Sequence, residues 1–559
     1  MTNSIMLLEF RKSQAAKIII VAAITFFFLT GIIALNRYFT FYSTYDQGIF
    51  NQIFWNNLHG NWFESSLASG ISSKVTKSGQ LPSISDSYLG HHFSLALLLW
   101  LPIYAIFPNP VTLIIIQIFL ITAAGLVLYL LARQYLDPLL SSFIVISFYC
   151  SNAVIGPALS NFHNICQLPL LIFTALLGLE KQKWWLFIIA SILILLVREE
   201  AGLTLFGIGV YLILNQRLPR VGLLICVVTF AYIVTITNFV MPLFTDDITQ
   251  RLLVDNFGQY VDNNSTTSTL ELIIAMLSRP WLVIKEFFIP IDKTINYFLG
   301  QWLPLAFIPA IAPTSWIVGI FPLLVPLLSK DIYVLGINTR FAMTVVPALF
   351  YGTILWWGGQ SLSNFTNQAK NYQPRQLGPL FRRFWIFCLS LSLIFTITSN
   401  PNRSLYFLIP DSIDPWIHVP LFLQWQRSVE IKSVLAKIPT NASVSATNQI
   451  VPYLSGRRAI FRYPTVNWET NTGEIFEVDY VAADLWRLEQ YQIAFKNDRD
   501  ALRRIVIFVE RAILDRKYSI IEFKNGVILL QKGAESNPIA MTAWLKFRQK
   551  LEPIMKISQ

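Results

Sequence analysis

Long apolar runs separated by short polar connections fill the first 400 residues of this chain. The first run, Ile18 to Leu35, is long enough to cross a bilayer and follows Arg11, Lys12 and Lys17. Basic residues before a span stay on the cytoplasmic side, so the N-terminus is expected inside. No small-residue cleavage site follows the apolar core, and the run reads as a retained signal anchor. Further runs recur at 111–132, 139–157, 167–179, 184–197, 201–214, 221–241, 296–312, 314–329, 341–358 and 384–399. Several are shorter than the roughly 20 residues that a spanning helix uses and must borrow flanking residues. Phe93 to Phe107 is short, contains Pro102 and ends in Pro108-Asn109-Pro110. That pattern predicts an outer interfacial or re-entrant helix, packed on protein so that its backbone groups stay satisfied.

With eleven spans, the connections carrying Arg133, Lys181 and Lys183, Arg217 and Arg220, and Lys370, Arg375, Arg382 and Arg383 all fall inside. A further span at Phe93 to Phe107 would move these loops outside and break the charge bias repeatedly. The expected architecture is therefore a polytopic α-helical membrane domain over 1–399, with about eleven transmembrane helices. Residues 36–110 form its first extracytoplasmic loop, with outer interfacial helices. The polar stretch Asp262 to Ser268 reads as a loop.

From about Asn400 the pattern becomes that of a globular domain, 400–559, placed outside by the same count. Ser443 to Thr447, Arg458 to Tyr463 and Val478 to Ala482 read as strands, and Asn448 to Leu454 as a helix. Tyr518 to Phe523 and Val527 to Gln531 flank Lys524-Asn525-Gly526, a strong hairpin signal. These elements predict a small α/β extracytoplasmic domain.

Composition narrows the class. Of 559 residues, 54% are hydrophobic and 13% charged, which no soluble domain of this size shows. The net charge of +11 would suggest nucleic acid in a soluble protein. Here basic residues mark cytoplasmic loops and anionic-lipid contacts, so the lipid bilayer is the expected partner and nucleic acid is not. Cys150, Cys166, Cys226 and Cys388 lie in or beside apolar segments, in neither a disulfide nor a zinc pattern. A phosphate loop, a dinucleotide glycine fingerprint and a serine elbow are all missing, which argues against a nucleotide-sugar donor held by a Rossmann domain.

The chemistry-bearing residues gather at the outer side of this topology. Asp46, in Tyr42-Ser43-Thr44-Tyr45-Asp46-Gln47-Gly48, opens the first outer loop. It suits a general base, a ligand for a divalent cation, or a helix N-cap. His91 and His92, in Gly90-His91-His92, suit a metal, a phosphate, or a plain interfacial role; adjacent residues on a helix diverge, so at most one is expected in a site with Asp46. His163 would orient a headgroup or cap the next helix. Arg198-Glu199-Glu200 places three charges at the membrane boundary, either as an internal ion pair or with a carboxylate supporting Asp46 or a metal. Arg340 begins a span from the outer side, against the charge bias; it suits a phosphate, or snorkelling to headgroups. Asp46, His92 and Glu199 are the candidate ligands should magnesium or manganese bind.

Tyr45-Asp46-Gln47-Gly48 with Phe50-Asn51-Gln52, Gly90-His91-His92-Phe93-Ser94, Asn161-Phe162-His163, Val197-Arg198-Glu199-Glu200 and the tail Ile438-Pro439…Ala442-Ser443-Val444…Pro452-Tyr453-Leu454-Ser455-Gly456-Arg457 form an ordered series. The series resembles the bacterial membrane-protein family called domain of unknown function 2079, over about Tyr42 to Asp484. That family is grouped with the GT-C glycosyltransferases. The resemblance implies a GT-C-like fold in the inner membrane, a catalytic acid in the first outer loop at Asp46, and a polyprenyl-phosphate-linked sugar as donor. The sequence departs from the pattern in two places: Gln47 follows Asp46 where paired acidic residues are frequent, and Arg340-Phe341 stands where relatives more often have His-Tyr. The function expected on this basis is sugar transfer from a polyprenyl phosphate to a glycan, lipid or protein acceptor at the outer face. The alternative is a non-catalytic transporter or accessory subunit of envelope-polysaccharide assembly. A transporter should show broken helices at mid-membrane and repeated halves; the charges here sit at one face and no repeat is evident.

Overall fold

The structure is a computed structural model and describes residues 2–245, 255–260, 268–360, 374–470 and 472–556. Most of the Asp262–Ser268 stretch, and Lys370, lie outside these residues. The contacts divide the chain into two compact units that interleave along the sequence. One comprises Met1–Ala34, Leu89–Pro102 and Ile114–Asn402; the other comprises Leu35–Tyr88, Ile103–Leu113 and Arg403–Gln559.

The first unit is helical. Gln14–Phe39, Pro110–Ala132, Pro219–Leu243 and Pro379–Thr398 are long and apolar enough to cross a membrane. Pro138–Tyr149 and Asn152–Ala158 make a fifth such length, bent by 48° at their junction. Asp137 starts that pair by accepting hydrogen bonds from the amides of Leu139 and Leu140, which offsets the unpaired donors of a helix start. Leu168–Glu180, Trp184–Val197, Gly202–Leu214, Pro313–Leu328 and Ala342–Trp357 are shorter. Leu95–Ile106 is also short, as its prolines and length lead one to expect. The expected span at 296–312 is interrupted. Ile291–Trp302 ends before Ala306 and Phe307, which both take left-handed φ values of 51° and 62°, and a helical turn resumes at Ile308–Ile311. Pro304 and Pro309 flank the break, and neither can donate an interior helix bond.

At the end of this unit carrying the Lys181 and Arg217 connections, Glu180 is buried, with 2% of its side chain exposed. It accepts hydrogen bonds from Tyr351 at 2.6 Å, from Arg217 at 2.8 Å and from Tyr135.

The second unit is built on a five-stranded sheet. Val444–Ala446 is flanked in parallel by Ile460–Arg462 and Tyr480–Asp484, and Val527–Lys532 then pairs antiparallel between Tyr480–Asp484 and Tyr518–Lys524. The hairpin turns at Asn525 and Gly526, whose φ values of 46° and 82° fit the twist of a two-residue turn. Helix Lys496–Leu514 buries Leu502, Ile505, Val506 and Val509 in a core shared with Val481, Ile520, Ile528 and Trp544. Helix Tyr45–Leu58 belongs to this unit and is largely buried, although it lies 400 residues before the sheet in sequence.

Candidate functional site

In the helical unit four polar motifs converge. Glu199 accepts a hydrogen bond from the Phe93 amide at 3.0 Å and holds Nδ1 of His92 at 2.8 Å. Nη2 of Arg198 stands 3.2 Å from the other ring nitrogen of His92. A guanidinium can only donate, so Nε2 of His92 accepts and Nδ1 carries the proton that Glu199 receives. Arg198 also faces Glu200 at 3.1 Å and Glu199 at 3.5 Å. Asn164 fastens the surrounding turns, donating to Ser94 at 2.6 Å and to the Val197 carbonyl at 3.2 Å. Of the two adjacent histidines, His92 is the one that reaches Glu199; His91 is buried in the turn before it.

His163 is the unusual member. Its amide donates to Gln117 at 3.1 Å, and Gln117 in turn donates to the Pro157 carbonyl at 3.2 Å. The ring is 1% exposed, and neither nitrogen has a hydrogen-bond partner of good geometry among the described residues. It stands at the helix-cap position before Asn164–Gln167 without making a side-chain cap. Burial, reinforced by the positive charges of Arg340 and Arg198, holds its pKa well below the ordinary imidazole value, so the ring is neutral. Among the described residues the Pro157 carbonyl is the one hydrogen-bonding group that bears on the ring, so at least one buried nitrogen stays open to a ligand.

Arg340 lies in the turn before helix Ala342–Trp357. Its guanidinium and that of Arg198 stand 5.2 and 5.5 Å from the centroid of the Phe341 ring. The loop is set by a close approach: a β-carbon on Gly156 would come within 2.8 Å of the Asn338 Cα. Asn402 locks the contact by donating to the Gly156 carbonyl at 2.8 Å. Glu200 keeps 19% of its side-chain exposure. Its pKa is raised by desolvation and by Glu199, against the lowering effect of Arg198. Two guanidinium groups, a buried neutral imidazole and a carboxyl biased toward its neutral form make a set that favours an anion.

In the other unit, Asp46 is half-buried in the first turn of helix Tyr45–Leu58. Thr44, not Asp46, occupies the cap position, and its side chain makes no cap bond. The Tyr45 amide instead donates to Oδ1 of Asn448 at 3.0 Å. From there the helix meets the tail motif in register. Gly48 lies against Val451, Asn51 donates to Ser455 at 2.9 Å, and Gln52 donates to the carbonyls of Arg457 and Arg458 at 3.1 and 3.0 Å. The Arg462 guanidinium lies 4.8 Å from the centroid of the Tyr45 ring. In open α/β sheets the carboxyl ends of parallel strands, where the strand order reverses, commonly receive ligands. Here the helix carrying Asp46 is fastened to Asn448 just beyond the Val444–Ala446 strand. A carboxylate in a first helical turn is favoured by the helix dipole.

Of the residues that hold these sites, Gln117, Asn164 and Asn448 escape a reading for catalytic residue types. Gln117 does carry a signal, since an amide inside an apolar run needs a partner. Among the described residues no group of three or more His, Cys, Asp or Glu could cage a metal ion. His92 and Glu199, two of the three metal candidates, are bonded to each other beside a guanidinium.

A family model described as predicted membrane protein, DUF2079, matches residues 37–529. No curated protein matches. Among the solved structures that match is ArnT from Cupriavidus metallidurans bound to undecaprenyl phosphate. Its identity is 11% and its TM-score 0.44, and the match covers 94% of this chain and 99% of that one.

Proposed function

The chain belongs to that family of predicted membrane proteins, and on that premise we propose that it is a GT-C-like glycosyltransferase of the bacterial inner membrane. It has about eleven spans and an extracytoplasmic α/β region, and it moves a sugar from a polyprenyl-phosphate donor to a glycan, lipid or protein acceptor. The observation that carries this reading is the buried, neutral His163 in the field of Arg340 and Arg198. The cluster offers charge and hydrogen bonds to a phosphate at the membrane boundary. Asp46, mounted rigidly in a first helical turn, takes the proton of the acceptor hydroxyl. The acceptor oxygen then bonds to the anomeric carbon as the bond from that carbon to the phosphate oxygen breaks. Within the helical unit, Arg340, Arg198 and His163 offer charge and hydrogen bonds suited to a phosphate. Glu199 and His92 position Arg198. Were magnesium or manganese to bind, Asp46 is the carboxylate that would hold it, and the ion would supply positive charge to a phosphate.

The test is transfer of radiolabelled sugar from a panel of polyprenyl phosphates in membranes, with expression matched between variants. Asp46→Asn should lower the rate by roughly 10² to 10⁴, the usual worth of a positioned base, while expression and insertion persist. Turnover by Asp46→Asn at the unmodified rate would reject the base. Loss of transfer with a chelator, restored by magnesium or manganese, would add the metal. Absence of transfer by the unmodified protein with every donor would favour the transporter or accessory-subunit reading.

A further inference from the structure

Helix Leu421–Leu435 has two unlike faces. Gln424, Arg427, Ser428, Ile431, Val434 and Leu435 are buried within the α/β unit. Leu421, Phe422, Trp425 and Val429 recur at helical spacing on the opposite face and are 43%, 81%, 42% and 66% exposed. The hairpin formed by Ser412–Ile413 and Trp416–Ile417 just precedes this helix. It has the same division: Ile417 is buried beside Tyr42, Tyr406 and Tyr491, whereas Ile413 and Trp416 are 79% and 63% exposed. A soluble surface rarely gathers this many large apolar side chains, and such patches mark interaction sites.

The place of the helix identifies what covers the patch. Trp425 donates to Asn36 at 3.0 Å and stacks on Phe39 with ring centroids 6.3 Å apart, and Ser428 donates to the Phe39 carbonyl at 2.6 Å. Asn36 and Phe39 form the last turn of the first long apolar helix, Gln14–Phe39, which is long and apolar enough to cross a membrane. The apolar face therefore adjoins the end of that helix. Tryptophans with one polar and one apolar side suit a membrane surface, and Trp425, with its ring N–H committed to Asn36, shows both characters.

We propose that helix Leu421–Leu435 and the Ser412–Ile417 hairpin form a monotopic insertion face whose partner is the phospholipid leaflet met by the Asn36–Phe39 end of the first helix. Phe422, Val429, Ile413 and Trp416 enter the acyl boundary, while the buried face of the helix stays in the α/β core. Amphipathic helices of this kind lie in the interface plane, with the apolar face sunk about 5–10 Å.

The test uses the full chain in phospholipid nanodiscs. The four native cysteines are replaced by alanine, and a spin label is attached at Phe422→Cys, Val429→Cys or Trp416→Cys. Ser433→Cys, at an exposed polar position of the same helix, serves as control. Collision with oxygen, which partitions into lipid, is compared with collision with a water-soluble nickel chelate. The first three labels should favour oxygen severalfold over the control. Nickel accessibility equal to that at position 433 would place the face in water and overturn the proposal. Low accessibility to both relaxants would show a protein covering the patch and would equally overturn it. Particle mass by light scattering would then tell a second copy from another protein.

Discussion

A β-carbon placed on Gly48 would stand 2.7 Å from Cγ1 of Val451. That approach is the tightest point of a seam in which Tyr45 meets Asn448, Asn51 meets Ser455 and Gln52 meets Arg457. Two motifs at opposite ends of the chain are thus halves of one joint, and the joint sets the direction in which the first turn of helix Tyr45–Leu58 presents Asp46.

Gly48→Ala should destabilise this joint, because the added methyl meets Val451 and, at 3.2 Å, Leu67. Overpacking of this kind costs about 1–3 kcal/mol. Limited proteolysis of the α/β unit in detergent should show faster cleavage for Gly48→Ala. The double variant Gly48→Ala with Val451→Ala should recover part of the loss. Equal destabilisation by the single and double variants would mean that the two residues do not press on each other.

His163→Leu should separate binding from stability. Leucine removes two buried polar nitrogens, of which at most one meets the Pro157 carbonyl, so the thermal midpoint should change little. Affinity for polyprenyl phosphate should fall by roughly tenfold or more, since a hydrogen bond to a charged group is worth about 1.5–3 kcal/mol. Affinity should also rise as pH falls toward the raised pKa of Glu200, because protonation removes a negative charge that opposes the anion. Glu200→Gln should abolish that inflection. The depressed pKa of His163 keeps the imidazole out of the same titration. A fall in affinity on mild acidification would contradict the assignment.

Glu180→Ala should lower the thermal midpoint with no effect on phosphate affinity. The change strands the hydroxyls of Tyr135 and Tyr351 and the guanidinium of Arg217. Breaking a buried pair from one side typically costs about 3–5 kcal/mol. The lower end applies here, because Arg217 is 38% exposed and can turn to water. Glu180→Gln retains an acceptor and should cost less. Thermal unfolding of the purified variants in one detergent decides the order.

Topology is open to labelling. In a background without native cysteines, an impermeant thiol reagent added to intact cells should modify a cysteine in the exposed tail, such as Ser433→Cys, but not Lys181→Cys or Arg375→Cys. The charge bias of the basic connections predicts both positions inside. Modification at position 181 in intact cells would invert the arrangement.

Local signals carried well into the structure. Lys524-Asn525-Gly526 marks a hairpin whose turn residues do adopt the positive φ values that Asn-Gly tolerates. Apolar runs locate the helices because burial or lipid contact is needed along their whole length. Asp46 is harder to read. A cap is a matter of backbone position, and Thr44, extended at φ −121° and ψ −179°, takes that place while Asn448 supplies the acceptor. No local window contains Asn448. The interruption at Ala306 and Phe307 is equally hidden, because alanine and phenylalanine carry no preference for left-handed backbone. His163, Arg198, Glu199 and Arg340 can be nominated from residue type and boundary position. The approach of Arg198 and Arg340 to Phe341 and the setting of His163 depend on Gly156, Asn402 and Gln117, whose contacts are long-range.

The seam also dictates an order of assembly. Tyr45 and Asn448 are separated by 403 residues, so the first turn of helix Tyr45–Leu58 is synthesised long before its acceptor exists. At ordinary elongation rates of about 5–20 residues per second the delay is roughly 20 to 80 s. During that interval the buried amides of Asn51 and Gln52 have no tail to bind, and the segment must be solvated or shielded by a chaperone. A chain that stops before residue 448 would insert its helices and leave this segment permanently unmated, a ready mark for proteolytic removal of incomplete molecules.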